Sequence, residues 1–329
     1  MRYEIVHTNP DVYRIAVPFS NFKLESTNCY VIHSEGAWLV VDTGAPSDAA
    51  GSFLGAALDE IGVDLSRTAF FLTHLHLDHA GLVDRIVDPA TPLYLNERDY
   101  RYSETELACA YAAQLEALLA VEGFAAEAAE HAHAKRAFAS FFSGDRTLNF
   151  VKEGDVIEVG ALRFEVIETP GHTPGHLALW EPASKLLFSG DHVLFIISPN
   201  LGLFLPDGDG VQAYLDSLDK VAALAPAKLM HSHGPIRDDV SERISWLHAH
   251  TLRRVERIRR AVEEAPGRTA ADIITNMKWN VPHDRWEDIP GAQRLCVLEN
   301  GLAALHHLVL DGVVARRTEG GLYRYEIAG

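Results

Sequence analysis

The sequence of 329 residues has few cysteines, no long apolar run and no low-complexity segment. The three cysteines, Cys29, Cys109 and Cys296, lie far apart without a Cys-x-x-Cys pair, which excludes a disulfide framework and a thiolate metal site. No stretch approaches the roughly 20 apolar residues that cross a bilayer, and the first residues lack the apolar core of a signal peptide. We therefore expect a cytoplasmic protein without a membrane segment.

Positive charge is also scarce, and its shortage is confined to one part of the chain. Residues 1–236 contain 15 Lys and Arg against 32 Asp and Glu, a net charge of −17, whereas residues 237–329 contain 14 of each class. An acidic body repels phosphate backbones. This distribution argues against a nucleic-acid partner and favours a small-molecule substrate.

The order of predicted elements indicates two sheets covered by helices. Short β-branched runs alternate with helices in the first part of the chain, and strand-like periodicity returns from Thr147 to Ser189. Between them, residues 103–142 are rich in Ala, Glu and Leu, which predicts a helical insertion over about 98–146. An insertion beside a functional site would cover it as a lid. The predicted fold class is α+β, an αββα sandwich formed by residues 1–236.

Residues 237–329 have a different character and predict a second, smaller domain. A long charged helix over about 238–265 precedes a short helix, and an amphipathic helix over about 292–310 precedes a glycine-bounded hairpin. Helices followed by a two-stranded hairpin with arginines resemble a winged-helix module. Because the last helix has an apolar stripe and a single arginine, Arg294, we expect the module to pack on the first domain or to mediate a homodimer.

One segment determines the functional interpretation: residues 73–81, Thr-His-Leu-His-Leu-Asp-His-Ala-Gly. It places three histidines and a carboxylate within six residues at the end of a predicted strand, where functional groups usually collect. Side chains alternate along an extended chain, so His74 and His76 can converge on one ion. Asp78 and His79, at the start of the next helix, can face a second ion. Imidazole and carboxylate ligands suit Zn, Fe, Mn or Ni.

Four ligands cannot complete two metal sites, and three later turns offer more. Each turn follows a predicted strand and places a possible ligand beside glycine, which lets the backbone approach closely. The turns are Gly-His at 171–172 with a second Gly-His at 175–176, Gly-Asp-His at 190–192, and His-Ser-His-Gly at 231–234. No Gly-x-Ser-x-Gly sequence is present, so the usual signature of a serine nucleophile is missing.

Taken together, these residues resemble the pattern of the metallo-β-lactamase fold superfamily over residues 1–236. An Asp-Thr-Gly at 42–44 precedes the His-x-His-x-Asp-His loop, and a Gly-His, a Gly-Asp and a late histidine follow in that order. The intact ligand pattern resembles the glyoxalase II, lactonase and nuclease (β-lactamase-like protein 2) branches more than the extracellular lactamases.

The resemblance implies a set of metal ligands. These are His74, His76 and His172 for one ion, Asp78, His79 and His233 for a second ion, and Asp191 as a bridge between the two. The resemblance also implies that Asp42 forms hydrogen bonds near the site without binding metal.

Several further residues have open roles. We expect His176 to orient a ligand, because the superfamily uses the first histidine of its turn. His192 either orients a ligand or contacts the substrate. His231 is the alternative to His233 as the metal ligand of its turn. Tyr102 in the insertion and Asn200 in a Ser-Pro-Asn turn are candidate residues of the substrate pocket.

Two ions about 3.5–4 Å apart would share a bridging hydroxide without needing a protein base. Asp78 is the candidate catalytic residue, since it would both bind metal and accept a proton from the nucleophilic water. The leading hypothesis is a di-metal hydrolase of a small ester, thioester or lactone, with Zn²⁺ favoured and Fe or Mn as alternatives. The alternatives are an endoribonuclease of the same fold, a mononuclear iron enzyme resembling persulfide dioxygenase, and a nucleic-acid-binding regulator that keeps the metal fold for structure.

Overall fold

The structure is a computed structural model, and it describes residues 1–21, 24–103, 105–128, 142, 145–204 and 208–329. Part of the predicted insertion, including residues 129–141, lies outside the described residues. Two sheets pack face to face and helices cover their outer faces. This arrangement confirms the predicted αββα sandwich.

The first sheet has seven strands in the order of the chain. They are β1 (Glu4–Thr8), β2 (Asp11–Asn21), β3 (Leu24–Ser34), β4 (Ala37–Val41), β5 (Thr68–Phe71), β6 (Leu93–Leu95) and β7 (Leu148–Phe150). Strands β1 to β4 pair antiparallel, and β4 to β7 pair parallel. Because β4 and β5 run in the same direction, Asp42 and the histidine-rich segment after β5 lie at the same edge of the sheet.

The second sheet has five strands in the order β12-β11-β10-β9-β8. They are β8 (Val156–Val159), β9 (Leu162–Glu168), β10 (Leu177–Glu181), β11 (Leu186–Gly190) and β12 (Lys228–His231). Neighbours from β8 to β11 pair antiparallel, and β11 pairs parallel with β12. Strands β9, β11 and β12 therefore run in one direction, and the three glycine-containing turns that follow them share one edge.

Helices fill the outer layers of the sandwich. They are α1 (Asp48–Ile61), α2 (Leu77–Ala80), α3 (Val83–Ile86), α4 (Glu97–Ser103), α5 (Thr105–Val121), α6 (Gly210–Leu224), α7 (Val240–Glu264), α8 (Ala270–Asn276) and α9 (Gly291–Leu310), with short 3₁₀ turns at Leu65–Arg67 and Trp286–Asp288. Residues 125–128 form one further helical turn. Among the described residues, no helix combines the length and the apolar character needed to cross a membrane.

The period of two along each strand divides the core between the layers. Ile32 of β3 points between the sheets and packs in the same cluster as Phe188 of β11. Val31, the preceding residue, points outward and packs with Leu54 of α1. A strand with apolar side chains on both faces belongs to a sheet that is buried on both sides, as the predicted layering requires.

Residues 237–329 form α7 to α9 and a hairpin of β13 (Val314–Glu319) and β14 (Leu322–Ile327). Their buried side chains belong to the same hydrophobic cluster as α5, α6 and the outer face of the second sheet; Leu298 of α9, for example, shares it with Leu218 of α6. His307 of α9 also pairs at 2.7 Å with Asp209, whose carboxylate caps α6. The segment therefore packs on the sandwich through a continuous core, and a separate winged-helix domain stays a prediction.

A buried polar contact joins the hairpin to the insertion. The Tyr325 hydroxyl lies 2.6 and 2.8 Å from the two carboxylate oxygens of Glu122, directly after α5, and both side chains are buried. Burial raises the pKa of Glu122 from 4.5 to about 7, even though the hydrogen bond from Tyr325 and the charge of Arg316 lower it. The folded protein thus keeps a proton on Glu122 that the unfolded chain loses above pH 4.5.

This shift predicts that Glu122→Gln stabilises the protein selectively at alkaline pH. Between pH 4.5 and about 7 only the unfolded state ionises, so the wild-type protein loses stability as the pH rises, whereas glutamine does not titrate. Urea unfolding at pH 5 and pH 8 should show the variant gaining about 1–3 kcal/mol over the wild type at the higher pH. Glu116→Gln, on the exposed side of α5, is the control. A pH-independent difference between Glu122→Gln and the wild type would contradict the shift.

Candidate metal centre

Seven side chains selected by the sequence motif meet where the strands of both sheets end. They are His74, His76, Asp78, His79, His172, Asp191 and His233. The first four follow β5, and the others follow β9, β11 and β12 in turn. They form overlapping clusters in which the potential ligand atoms all lie within 4.8 Å of one another.

The first cluster consists of three histidines. His74 Nε2 and His172 Nε2 lie 3.0 and 2.9 Å from His76 Nδ1. Ligand atoms around a tetrahedral ion with bonds of about 2.0–2.1 Å are about 3.3 Å apart. The three nitrogens therefore already stand close to the spacing of a metal site.

The second cluster combines carboxylates with histidines. Asp78 Oδ2 lies 3.8 Å from His79 Nε2 and 3.5 Å from His233 Nε2. His79 Nε2, His233 Nε2 and Asp191 Oδ1 are buried and have no hydrogen-bond partner in the part of the chain that the structure describes. Buried polar atoms without partners cost free energy. A divalent cation at this point would bind all three atoms, so these residues fit a metal ion.

Asp191 lies between the two clusters. Its Oδ2 is 3.5 Å from His172 Nε2 in the first cluster. Its Oδ1 is 3.5 Å from His79 Nε2 and 3.3 Å from His233 Nε2 in the second. One carboxylate can therefore bind an ion on each side.

The charges of the two clusters differ. Burial, and then the neighbouring histidines, lower the pKa of His74 well below 6.5, so its imidazole is neutral and keeps a lone pair. Burial opposes the ionisation of Asp191, yet His233 and His79 lower the pKa of that carboxyl well below 3.8. Burial also lowers the pKa of His79, but the surrounding carboxylates, Asp191 first, raise it well above 6.5. The second cluster thus attracts positive charge.

The outer ring nitrogen of most of these histidines is held by a neighbour. Nδ1 of His79 donates to Asp42 Oδ2 at 2.8 Å. Nδ1 of His172 donates to the Asn200 carbonyl at 2.7 Å, and Nδ1 of His233 donates to the Ser26 carbonyl at 2.9 Å. Nδ1 of His74 lies 3.1 Å from Thr73 Oγ1. Because carbonyls and carboxylates only accept, the proton sits on Nδ1 of the first three rings. Nε2 is therefore the nitrogen of each ring that faces the clusters, and a bound cation would take the place of any proton there.

Asp42 orders the segment that carries the first ligands. Its carboxylate accepts a hydrogen bond from the Thr73 backbone N–H at 2.9 Å and one from His79. The residue adopts a φ of +61°, a left-handed conformation that side chains with a Cβ rarely occupy. It is buried beside the site, at a position that suits a supporting role rather than metal binding.

His176 lies behind Asp191. Its Nε2 accepts a hydrogen bond from the Asp191 backbone N–H at 3.1 Å, so its Nδ1 carries the proton and donates to Thr169 Oγ1 at 2.7 Å. A Cβ on Gly190, whose φ is +52°, would stand only 2.7 Å from His176 Nε2. The glycine therefore allows the ring to reach the backbone of the bridging carboxylate.

Two other histidines of these turns face away from the clusters. The His192 ring is fully buried, 6.3 Å from the His176 ring and 5.1 Å from the Tyr214 ring of α6, and it is not a member of either cluster. The His231 ring packs 5.0 Å from Phe195, and only the later histidine of that turn joins a cluster.

The two candidate pocket residues have different surroundings. The Tyr102 ring lies 5.4 Å from the Tyr111 ring within the insertion. Asn200 contacts His172 through its backbone carbonyl, while its side chain is hydrogen-bonded to Glu299 and Asn300 of α9. Asn200 therefore supports a ligand candidate instead of pointing a polar group at a substrate.

Sequence reasoning missed Asp99 of α4. Its Oδ2 accepts a hydrogen bond from Thr173 Oγ1 at 2.7 Å, and its Oδ1 accepts one from the Gly175 N–H at 2.6 Å. Asp99 thus holds the turn that carries His172, which places the insertion against the metal centre. An aspartate in a charged helix has no local pattern that would single it out.

The sequence profile of the metallo-β-lactamase superfamily matches residues 23–233, which include all seven side chains of the two clusters. The chain belongs to this superfamily. A β-lactamase-like protein 2 homologue of Caenorhabditis elegans is 26% identical over 299 residues, which cover 89% of this chain and 82% of the relative.

Two further comparisons agree with this membership. A hydroxyacylglutathione hydrolase of Bdellovibrio bacteriovorus is 40% identical over 82 residues, which cover 25% of this chain and 31% of the relative. The crystal structure of a β-lactamase domain protein from Burkholderia ambifaria superposes with a TM-score of 0.81 at 26% identity, and covers 99% of this chain and 94% of that one. Membership confirms the predicted fold and the class of metal-dependent hydrolases.

Asp42→Asn should weaken metal binding at the second cluster by about 10–100-fold. An amide has one acceptor oxygen where the carboxylate has two, so either the Thr73 N–H or His79 Nδ1 loses its acceptor. Competition titration of Zn²⁺ against a chromophoric chelator measures the affinity. Asp48→Asn, an exposed aspartate at the start of α1, should bind like the wild type. Wild-type affinity in Asp42→Asn would show that Asp42 does not support the site.

Proposed function

We propose that this chain is a di-metal hydrolase of a small ester, thioester or lactone, and that its two ions are Zn²⁺, with Fe or Mn as alternatives. The position of Asp191 carries the proposal, because its two oxygens face the two clusters at 3.3–3.5 Å. A carboxylate in this position is suited to join two ions at the separation that bimetallic hydrolysis needs.

The chain's own residues divide the work. His74, His76 and His172 would hold one ion, and Asp78, His79 and His233 would hold the other. Two such ions, when bound, supply a water of lowered pKa and an electrophile for the substrate carbonyl. The Asp78 side chain is 24% exposed, whereas His79 and His233 are fully buried, so Asp78 is the ligand of this cluster that water can reach. We assign it the role of proton acceptor.

The local likeness to a hydroxyacylglutathione hydrolase favours a thioester among the three acyl substrates. The net charge of −17 on residues 1–236 and the scarcity of cysteine support a small-molecule reaction in a reducing compartment such as the cytoplasm. A homodimer formed through the C-terminal segment stays part of the proposal.

The contacts of the hairpin arginines argue against a nuclease. Arg317 pairs with Glu319, the Arg316 guanidinium lies 4.4 Å from the Tyr323 ring, and Arg324 donates to the Gly267 carbonyl at 3.3 Å. Each of these basic groups has a contact within the chain, which supports an acyl substrate over RNA in this proposal. The presence of a second cluster beside the first likewise favours two ions over a mononuclear iron site.

Turnover assays test the proposal directly. Glutathione thioesters, aryl esters and acyl lactones are the probes, with single-stranded RNA as the competing substrate. We expect hydrolysis of at least one acyl probe, loss of activity with a chelator and recovery with Zn²⁺. Asp191→Ala and His233→Ala should each lower kcat by about 100-fold or more. Each variant removes a proposed metal ligand, and with it part of the stabilisation of charge in the transition state. His248→Ala, on α7 away from the clusters, should keep wild-type activity.

Two results would overturn the proposal. One is wild-type turnover in the double variant His74→Ala, Asp191→Ala, since that enzyme lacks a ligand in each cluster. The other is metal-dependent cleavage of RNA by a protein that leaves every acyl probe intact.

A further inference from the structure

The loop over residues 192–204, which follows Asp191, is fastened to the C-terminal helix α7 by arginines. Arg243 donates through Nε to the Leu194 carbonyl at 2.5 Å and through Nη2 to the Ile197 carbonyl at 2.6 Å. Arg254, about three turns further along α7, donates through Nη2 to Ser198 Oγ at 3.2 Å. The first half of the loop is thus held by two side chains outside the sandwich.

Helix α9 holds the second half of the same loop. Asn300 Nδ2 donates to Asn200 Oδ1, and Asn300 Oδ1 accepts from the Leu201 N–H at 3.3 Å and from Arg254 Nη1. Asn200 Nδ2 donates to Glu299 Oε2 at 2.5 Å. Both ends of the Asn200 amide are therefore engaged by α9, which sets the orientation of this residue.

The backbone of Asn200 then reaches the metal centre. Its carbonyl accepts the hydrogen bond from His172 Nδ1 at 2.7 Å, which leaves the Nε2 lone pair 2.9 Å from His76 Nδ1 in the first cluster. The Gly202 N–H also donates to the Gly171 carbonyl at 2.9 Å, so loop and turn are joined at the histidine and at the residue before it. A shift of Asn200 would be passed directly to the His172 ring.

Arg254 shows that this connection is more than packing. In the described part of the chain its guanidinium contacts neutral groups, namely Asn300, Ser198 and His250. Burial lowers the pKa of Arg254 to about 10, so it is still charged at neutral pH. A buried charge on neutral acceptors costs free energy, and apolar residues would join helix and loop at lower cost. Its specific effect is to orient Asn300 and the loop.

We propose that Asn300, supported by Arg254, is a positioning residue for the first metal site, because it fixes the Asn200 carbonyl that orients His172. The inference rests on the proposed ligation of metal by His172. It makes the C-terminal segment a part of the metal centre. The second cluster provides an internal comparison, because His233 is oriented by the Ser26 carbonyl of β3 and not by the loop that Asn300 holds.

Metal titration of Asn300→Asp tests the proposal. Aspartate keeps an acceptor for Arg254 and for the Leu201 N–H, but it faces Asn200 Oδ1 with an oxygen instead of a donor. The helix contact to the buried arginine survives, which favours a folded variant. We expect competition titrations with Zn²⁺, and with Co²⁺ followed by its visible absorption, to show the affinity of the first metal site reduced about tenfold. The other affinity should stay within twofold of the wild type.

The controls separate positioning from folding. Asn276→Ala removes an exposed asparagine whose amide donates to the Asp272 carbonyl within α8, and it should leave both affinities unchanged. Arg254→Lys keeps the charge but loses the two-pronged contact to Asn300 and Ser198, so it should weaken the same site as Asn300→Asp. A matching loss in both variants at one site, with a changed Co²⁺ spectrum, supports a positioning role that a general loss of stability would not mimic.

The outcomes distinguish this inference from the function on which it rests. Two wild-type affinities in Asn300→Asp, or an equal loss at both sites, would overturn the positioning role and leave the di-metal hydrolase intact. A wild-type chain that binds no ion through His172, judged by identical titrations of the wild type and His172→Ala, would overturn the proposed function and this inference together.

Discussion

The structure depends on the convergence of buried metal-binding atoms at one point between the sheets. Oxygens and nitrogens of Asp78, His79, Asp191 and His233 approach to 3.3–3.8 Å, and three of these atoms have no hydrogen-bond partner among the described residues. Buried lone pairs held this close without hydrogen-bond partners are costly unless a cation lies between them. The raised pKa of His79 has the same origin, since a proton there supplies the positive charge that the carboxylates attract.

That convergence is possible because each ligand candidate is oriented from a different part of the fold. Asp42 at the end of β4 orients His79, Ser26 of β3 orients His233, and Asn200 in a loop held by α9 orients His172. Outer hydrogen bonds of this kind set the tautomer and direction of metal-binding rings. The centre thus joins both sheets and the C-terminal helices, and small displacements of any of them reach the reacting groups.

The parts of this arrangement that are local in sequence could be predicted. The strand-like runs of apolar residues predict sheets that are buried on both faces, and the spacing of the histidines from His74 to His79 predicts metal binding. Long-range contacts leave no such pattern: Asp99 and Asn300 are ordinary helix residues until the fold brings them to Gly175 and Asn200. The pairing of β11 with β12 is also irregular between Phe188 and Gly190, just before Asp191, and no periodicity of the sequence predicts this.

The central claim is that two cations share Asp191, and an anomalous-difference map from crystals of the metal-loaded protein tests it most directly. Data collected above and below the absorption edge of the bound metal identify and count the ions. Two ions joined by Asp191 would give two peaks about 3.5–4 Å apart, one beside His74, His76 and His172 and the other beside Asp78, His79 and His233. A single peak, or peaks that lie away from Asp191, would contradict it.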